Sequence, residues 1–215
     1  MTRWKSVLVI TAAVLAPLAA SAEERLLTLR PEKTSVTFNL KATAHEVNGV
    51  LALEAGQIRF DSATGAASGQ ITIDLRRAET GNSLRDREMH KTVLETERYP
   101  QIVFRPERLE GAVADSGISN VVLLGTVVLH GDEHKLRLPA RIKVDDERVS
   151  AEVTFSVPYV EWGLHNPSFL VLRVAPVVAV TVMTEGALSS SSKVAGERGA
   201  APEARSGKAA RDGKP

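Results

Sequence analysis

The sequence contains no cysteine. Disulfides and thiolate metal sites are thereby excluded, so a fold in an oxidising compartment has only burial and strand pairing to hold it. Aromatic residues make up 4% of the chain, so any core is mainly aliphatic. No apolar run reaches the roughly 20 residues that a membrane-spanning helix needs. G-x-S-x-G turns, phosphate-cradling glycine loops and calcium-type acidic loops are all missing. With these devices gone, no catalytic residue, cofactor or metal ligand is assigned.

What is present suits one soluble domain with appendages: 215 residues, 43% apolar and 25% charged. Residues 1–22 read as a secretory signal peptide. Arg3 and Lys5 form the positive start, Val7 to Ala16 is the apolar stretch, and Ala20-Ser21-Ala22 is the cleavage site. There is no twin arginine, and no cysteine follows the cleavage site to carry a lipid. The expectation is a periplasmic or secreted protein with no transmembrane segment after cleavage. Residues 23–188 hold 19 Lys+Arg against 23 Asp+Glu. That excess of negative charge argues against nucleic acid as a partner, because binding a phosphate backbone takes clustered positive charge. From Ser189 to Pro215 the chain is Ser, Ala, Gly, Pro and charge, and is expected to be disordered.

Between these ends, apolar and polar residues alternate with period two. Val36, Phe38 and Leu40 form one such face, and Ile71, Ile73 and Leu75 another. Ile102 and Phe104 continue it. Leu136, Leu138, Ala140, Ile142 and Val144 oppose Lys135, Arg137, Arg141 and Lys143. Val149 to Val157 and Val178 to Val182 follow the same rule. Successive strand side chains point to opposite faces, so each run has one apolar and one wet side. Turn-rich stretches such as Asp61 to Gly65, His130 to Glu133 and Asp145 to Arg148 separate the runs. About eight strands with short connections imply an all-β sandwich or up-and-down barrel.

One segment departs from this pattern. Ser83 to Asp86 has the form of a capping box with Ser83 as N-cap, and Leu84, Met89, Val93 and Leu94 follow at near-helical spacing. Tyr99-Pro100 ends the element, since a residue before proline avoids helical angles. A helix of about three turns is expected here, placed to lid one mouth of a barrel.

Three constellations bear on chemistry. His130-Gly131-Asp132-Glu133-His134 matches the H-x-x-E-H string of a zinc peptidase class, but it lies between two strands with glycine at its second position, and reads as a hairpin turn. Asn82, Arg85, Asp86, Glu88 and His90 crowd around the helix start. They read as capping and i,i+4 pairing, with an anion-binding role for Arg85 and an Asp86–His90 acid–base pair as alternatives. Tyr159 and Trp162 lie just after an alternating strand, either contacting a ligand's polar end or sealing the core.

Four stretches in this order resemble a known family. They are Thr34-Ser35-Val36-Thr37-Phe38, Thr80-Gly81-Asn82-Ser83-Leu84-Arg85-Asp86, Tyr99-Pro100 with Ile102 and Phe104, and Leu129-His130-Gly131 through Leu138-Pro139. The chain resembles the YceI-like family of exported polyisoprenoid-binding proteins over roughly Leu26 to Glu185. The resemblance implies a lipocalin-like antiparallel β-barrel of about eight strands with one short α-helix, and an isoprenoid or other amphiphilic lipid inside it. Three places differ from the family pattern, one of them the segment from Asp86 to Pro100, which is one residue shorter. Glu88 stands where histidine is frequent, and Tyr159-Val160-Glu161-Trp162-Gly163 replaces an R-S-D-F-G segment.

The expected organisation is a signal peptide at 1–22, a barrel domain at 23–188 and a tail at 189–215. Phe38, Leu40, Ile73, Leu75, Phe104, Leu138, Val153 and Phe155 are expected to line the pocket. Asn82, Arg85, Asp86, His90 and Trp162 are expected at its polar mouth. The alternatives are a filled barrel that binds a protein partner in an envelope or respiratory complex, and a metal-dependent hydrolase. Whether two barrels pair as a homodimer is left open.

Overall fold

In the computed structural model, residues 24–43, 45–168 and 173–190 are described. The signal-peptide segment and nearly all of the tail lie outside them. Eight strands run in chain order: β1 (Glu24–Lys41), β2 (Glu46–Asp61), β3 (Ala67–Glu79), β4 (Gln101–Glu110), β5 (Gly117–Leu129), β6 (Asp132–Asp145), β7 (Arg148–Val157) and β8 (Val178–Ser190). Each pairs antiparallel with the next, and β8 pairs with β1, so the sheet closes into an up-and-down barrel. Closure gives every strand a neighbour on both sides. β8 extends its pairing to Ser190, into the stretch expected as tail, with Ser190 opposite Arg25.

The alternation places the side chains. Along β6, Ala140, Ile142 and Val144 are buried while Arg141, Lys143 and Asp145 are exposed. The outer wall carries cross-strand ion pairs, among them Lys135 Nζ to Glu107 Oε1 at 2.7 Å and Arg137 to Glu110 at 3.0 Å. Pairs this exposed contribute about 0–1 kcal/mol each. Burial of the inward aliphatic side chains, roughly 1.5–3 kcal/mol apiece, is the dominant favourable term. Apolar inside and charged outside is the reverse of a barrel whose outer face meets lipid. Among the described residues no helix is long and apolar enough to cross a membrane.

The inward residues form two clusters, one at each end. Leu27, Leu53, Ile58, Phe60, Ile142 and Val144 belong to the deep cluster, near the chain ends and the β2–β3, β4–β5 and β6–β7 connections. Val36, Leu75, Leu129, Val157, Tyr159 and Leu164 belong to the other, beneath the remaining connections. That second end is the mouth. Its β5–β6 hairpin is the two-residue turn His130-Gly131, with both residues at positive φ, 55° and 91°. Such a turn matches the twist of the strands, and glycine takes its second position without strain. The H-x-x-E-H string is therefore a turn running into a strand, not a helix.

Helix α1 (Ser83–Glu88) bridges β3 and β4 at the mouth and continues into a π-helical turn, Met89–Val93. The N-cap is Asn82, not Ser83. Asn82 is extended (φ −132°, ψ 110°) and its side chain accepts from the amides of Leu84 and Arg85. Asp86 makes no capping box; it turns to Thr80 instead. Leu84, expected on the apolar face, is 71% exposed.

Candidate functional site

Two apolar cavities adjoin inside the barrel. The deep one, about 220 Å³, is lined by aliphatic and aromatic side chains with no charged group. Thr34, Thr184 and Trp162 are the lining residues that carry a polar group, and the two threonine hydroxyls bond each other at 2.6 Å. The mouth cavity, about 410 Å³, adds His45, Thr80, Arg85 and Glu88 to an otherwise apolar wall. Leu51, Ile102, Leu129, Val157 and Val180 line both cavities, so the two meet end to end. The space is long and apolar throughout, with charge-bearing side chains only in the wall of its upper part.

Of the eight residues expected inside, Ile73, Phe104, Leu138, Val153 and Phe155 line the deep cavity. Phe38, Leu40 and Leu75 line the mouth cavity. Phe38 fits because its ring lies over Gly49, directly opposite on β2; a Cβ there would stand 2.2 Å from Phe38 Cζ. Leu75 is 1% exposed.

The polar residues divide. Arg85 lines the mouth cavity. Its Nε donates to Thr80 Oγ1 at 2.7 Å and its Nη2 to the Thr80 carbonyl at 3.0 Å. Thr80 in turn donates to Asp86 Oδ1, from its hydroxyl at 2.5 Å and from its amide at 2.8 Å. Thr80, Arg85 and Asp86 thus knot the start of α1 to the end of β3, and Asn82 caps the same helix. The knot orients the guanidinium along the cavity wall and spends Asn82 and Asp86 on structure. His90 faces away from the cavity: its Nε2 is 2.9 Å from the Ala78 carbonyl and its Nδ1 is 3.3 Å from Thr96 Oγ1. Asp86 and His90 share no bond, so the acid–base pair is not assembled.

Trp162 lines the deep cavity, not the cavity that holds Arg85, and packs against the mouth-end cluster. It stacks on His134 with ring centroids 4.2 Å apart and planes 3° from parallel. The reason lies in the sheet. β6 and β7 pair only from Asp145↔Arg148 to Ala140↔Val153. Above that, β6 continues on β5 as far as Asp132, and β7 continues on β8 as far as Val157. Pro139, which has no N–H to offer, sits where the pairing stops. Trp162, from the loop after β7, closes the gap. His130 lies elsewhere, its ring 4.3 Å from Tyr99 and its Nε2 3.3 Å from Glu95 Oε1, close enough for an ion pair but not aligned as a hydrogen bond. The two histidines of the string therefore serve different neighbours.

For Tyr159 the sequence leaves two readings, contact with a ligand's polar end or a seal on the core. It is 5% exposed, lines the mouth cavity and packs in the apolar cluster with Val36, Leu75 and Leu129. Its hydroxyl is buried and has no hydrogen-bond partner. Burial pushes its pKa up. The signal available was its spacing: two residues past Val157, on the inward phase of β7.

A family model described as the YceI-like domain matches residues 27–186. Two solved structures share the fold. BcnA of Burkholderia cenocepacia is 15% identical, with a TM-score of 0.60 over 73% of this chain and 98% of its own. A polyisoprenoid binding domain from Saccharophagus degradans, implicated in plant cell wall breakdown, is 14% identical, with a TM-score of 0.58 over 76% of this chain and 98% of its own. No curated protein matches the chain.

Proposed function

This chain belongs to the YceI-like family, and we propose that it is an exported carrier that holds one polyisoprenoid or similar amphiphilic lipid in its barrel, without catalysing a reaction. The observation that carries this reading is the pair of cavities meeting end to end, charge-free below and edged with Arg85, His45 and Glu88 above. A chain would lie tail-down, each methylene it buries contributing about 0.8 kcal/mol. Its polar end would reach the mouth, where Arg85 is oriented by Thr80. The solved Saccharophagus domain, a polyisoprenoid binding domain by name, supports the cargo class. The apolar stretch and small-residue site of residues 1–22 support export to the periplasm or beyond. A filled barrel serving only as a partner-binding module is disfavoured, because it has no use for a long apolar void.

The test is to isolate the protein from the exported fraction of cells and compare its native mass with mass spectrometry of its organic extract. One lipid species at near one-to-one amount is expected. A clean ligand-free mass that persists after incubation with isoprenoid and fatty-acyl lipids contradicts the reading.

A further inference from the structure

We propose that the seam between β6 and β7 above Ala140 is the port by which the cargo chain enters and leaves the barrel, with the Trp162 ring as its door. The inference rests on the lipid-holding function above. It starts from the backbone hydrogen bonds of the wall. Where two strands pair, the bonds of their ladder must break before a chain can pass between them. β5 and β6 pair up to Leu129↔Asp132, and β7 and β8 up to Val157↔Val178, at the mouth end. β6 and β7 stop at Ala140↔Val153. Above that level, among the described residues, no hydrogen bond joins the two strands. β3 and β4 also pair briefly, from Ile71↔Phe104 to Asp74↔Gln101. Their gap, however, is shut below by the Ala66↔Arg108 bridge and by the Leu109 amide on the Gly65 carbonyl. The β6–β7 seam runs open to the mouth.

Side chains close it. Leu136, Leu138 and Phe155 from its two edges line the deep cavity, and so does Trp162. The indole stacks on His134 with centroids 4.2 Å apart. Neither ring is tied to a strand: among the described residues the indole N–H makes no hydrogen bond, and His134 Nε2 has no partner. The Trp162 backbone is held within its own turn. Its amide donates to the Pro158 carbonyl at 3.0 Å, and the Leu164 amide to the Tyr159 carbonyl at 3.0 Å. The ring can therefore swing between rotamers with no backbone bond broken. The other covers of the mouth are fastened. Asp86 accepts from Thr80, His90 meets the Ala78 carbonyl, and the stretch from Arg173 to Ala175 bonds to Thr43 and Lys41. Opening there breaks hydrogen bonds, whereas opening the seam gives up only stacking and apolar contact. Rotation of one side chain is also faster than release of a fastened element.

The experiment measures exchange as well as affinity. The delipidated full chain is mixed with cis-parinaric acid, a single-chain polyene whose fluorescence rises in apolar surroundings, and kon and koff are read by stopped flow. Trp162→Ala is expected to raise both rates at least about threefold. A tryptophan that merely touches the cargo would affect koff alone, so an unchanged or slower kon overturns the inference. A second variant locks the seam. The chain has no cysteine, so Arg137→Cys with Ser156→Cys puts its only thiols on the outer faces of the two edges, where a short bismaleimide can join them. Joined, the protein is expected to bind and release the probe at least about tenfold more slowly, with Kd within about twofold of the same variant capped by N-ethylmaleimide. Rates unchanged by the bridge overturn the port and leave the carrier function standing. A wild-type protein that does not bind the probe contradicts the carrier function itself.

Discussion

At the deep end of the barrel, β6 and β7 meet in a two-residue turn and pair residue for residue from Asp145↔Arg148 upward. At the mouth the same two strands stand apart, and a tryptophan from a loop fills the space between them. The contrast holds around the ring. The deep half is strands and tight turns, and its inward groups are almost all aliphatic. The mouth half carries the helix, its π turn and the Thr80–Arg85–Asp86 knot. The deep half supplies a dry space of fixed width. The mouth departs from regular pairing where polar groups must be aimed, and such departures gather at functional sites.

Mutations can break this comparison in order of size. Leu75, 1% exposed in the mouth-end cluster, is the strongest point. Leu75→Ala is expected to cost about 3 kcal/mol and lower the melting temperature by roughly 6–12 °C, while Leu84→Ala on the exposed helix face changes stability by less than about 0.5 kcal/mol. Equal effects would mean that the mouth helix is packed elsewhere.

Thr80→Val comes next. It keeps the side chain's shape but removes the acceptor for Arg85 Nε and a donor to Asp86. A loss of about 1–2 kcal/mol is expected, read as a lower urea midpoint at unchanged slope. A shift near zero would show that the knot is solvated rather than structural.

The smallest effect is pH dependence. The hydrogen bond from Arg76 holds the Asp74 carboxyl below its ordinary range. The Thr64 amide does the same for Asp61, and Lys135 for Glu107. A carboxylate with a depressed folded-state pKa contributes stability at neutral pH and loses it as pH falls through the unfolded and then the folded value. The melting temperature should therefore be flat from neutral pH to about 5 and decline below it, modestly because Asp61 and Glu107 are open to solvent and only Asp74 is buried. Greater stability in acid would contradict these assignments.

Much of the deep half was legible in the sequence because period two is a direct consequence of strand geometry. Leu138, Val153 and Phe155 point inward by their place in an alternating run, whatever surrounds them. The mouth was less legible. Asn82 and Ser83 are both good caps, and Asn82 takes the role because it is the extended residue that precedes the helix. Leu84 fits a helical apolar stripe but sits on the turn that faces solvent. Nothing local to Trp162 reveals that β6 and β7 part company above Ala140. His90 is spaced to pair with Asp86, but the turn of the helix aims it at the Ala78 carbonyl. These are tertiary facts, set by which strands meet and where they stop.

The central claim is that the cargo lies inside the barrel, and filling the deep cavity tests it most directly. Ala151 lines that cavity on β7. The Ala151→Trp protein should keep the barrel's circular dichroism but emerge from the exported fraction without the lipid that the wild type carries, as read by native mass. The same lipid retained at the same stoichiometry would place the cargo outside the barrel and contradict the account.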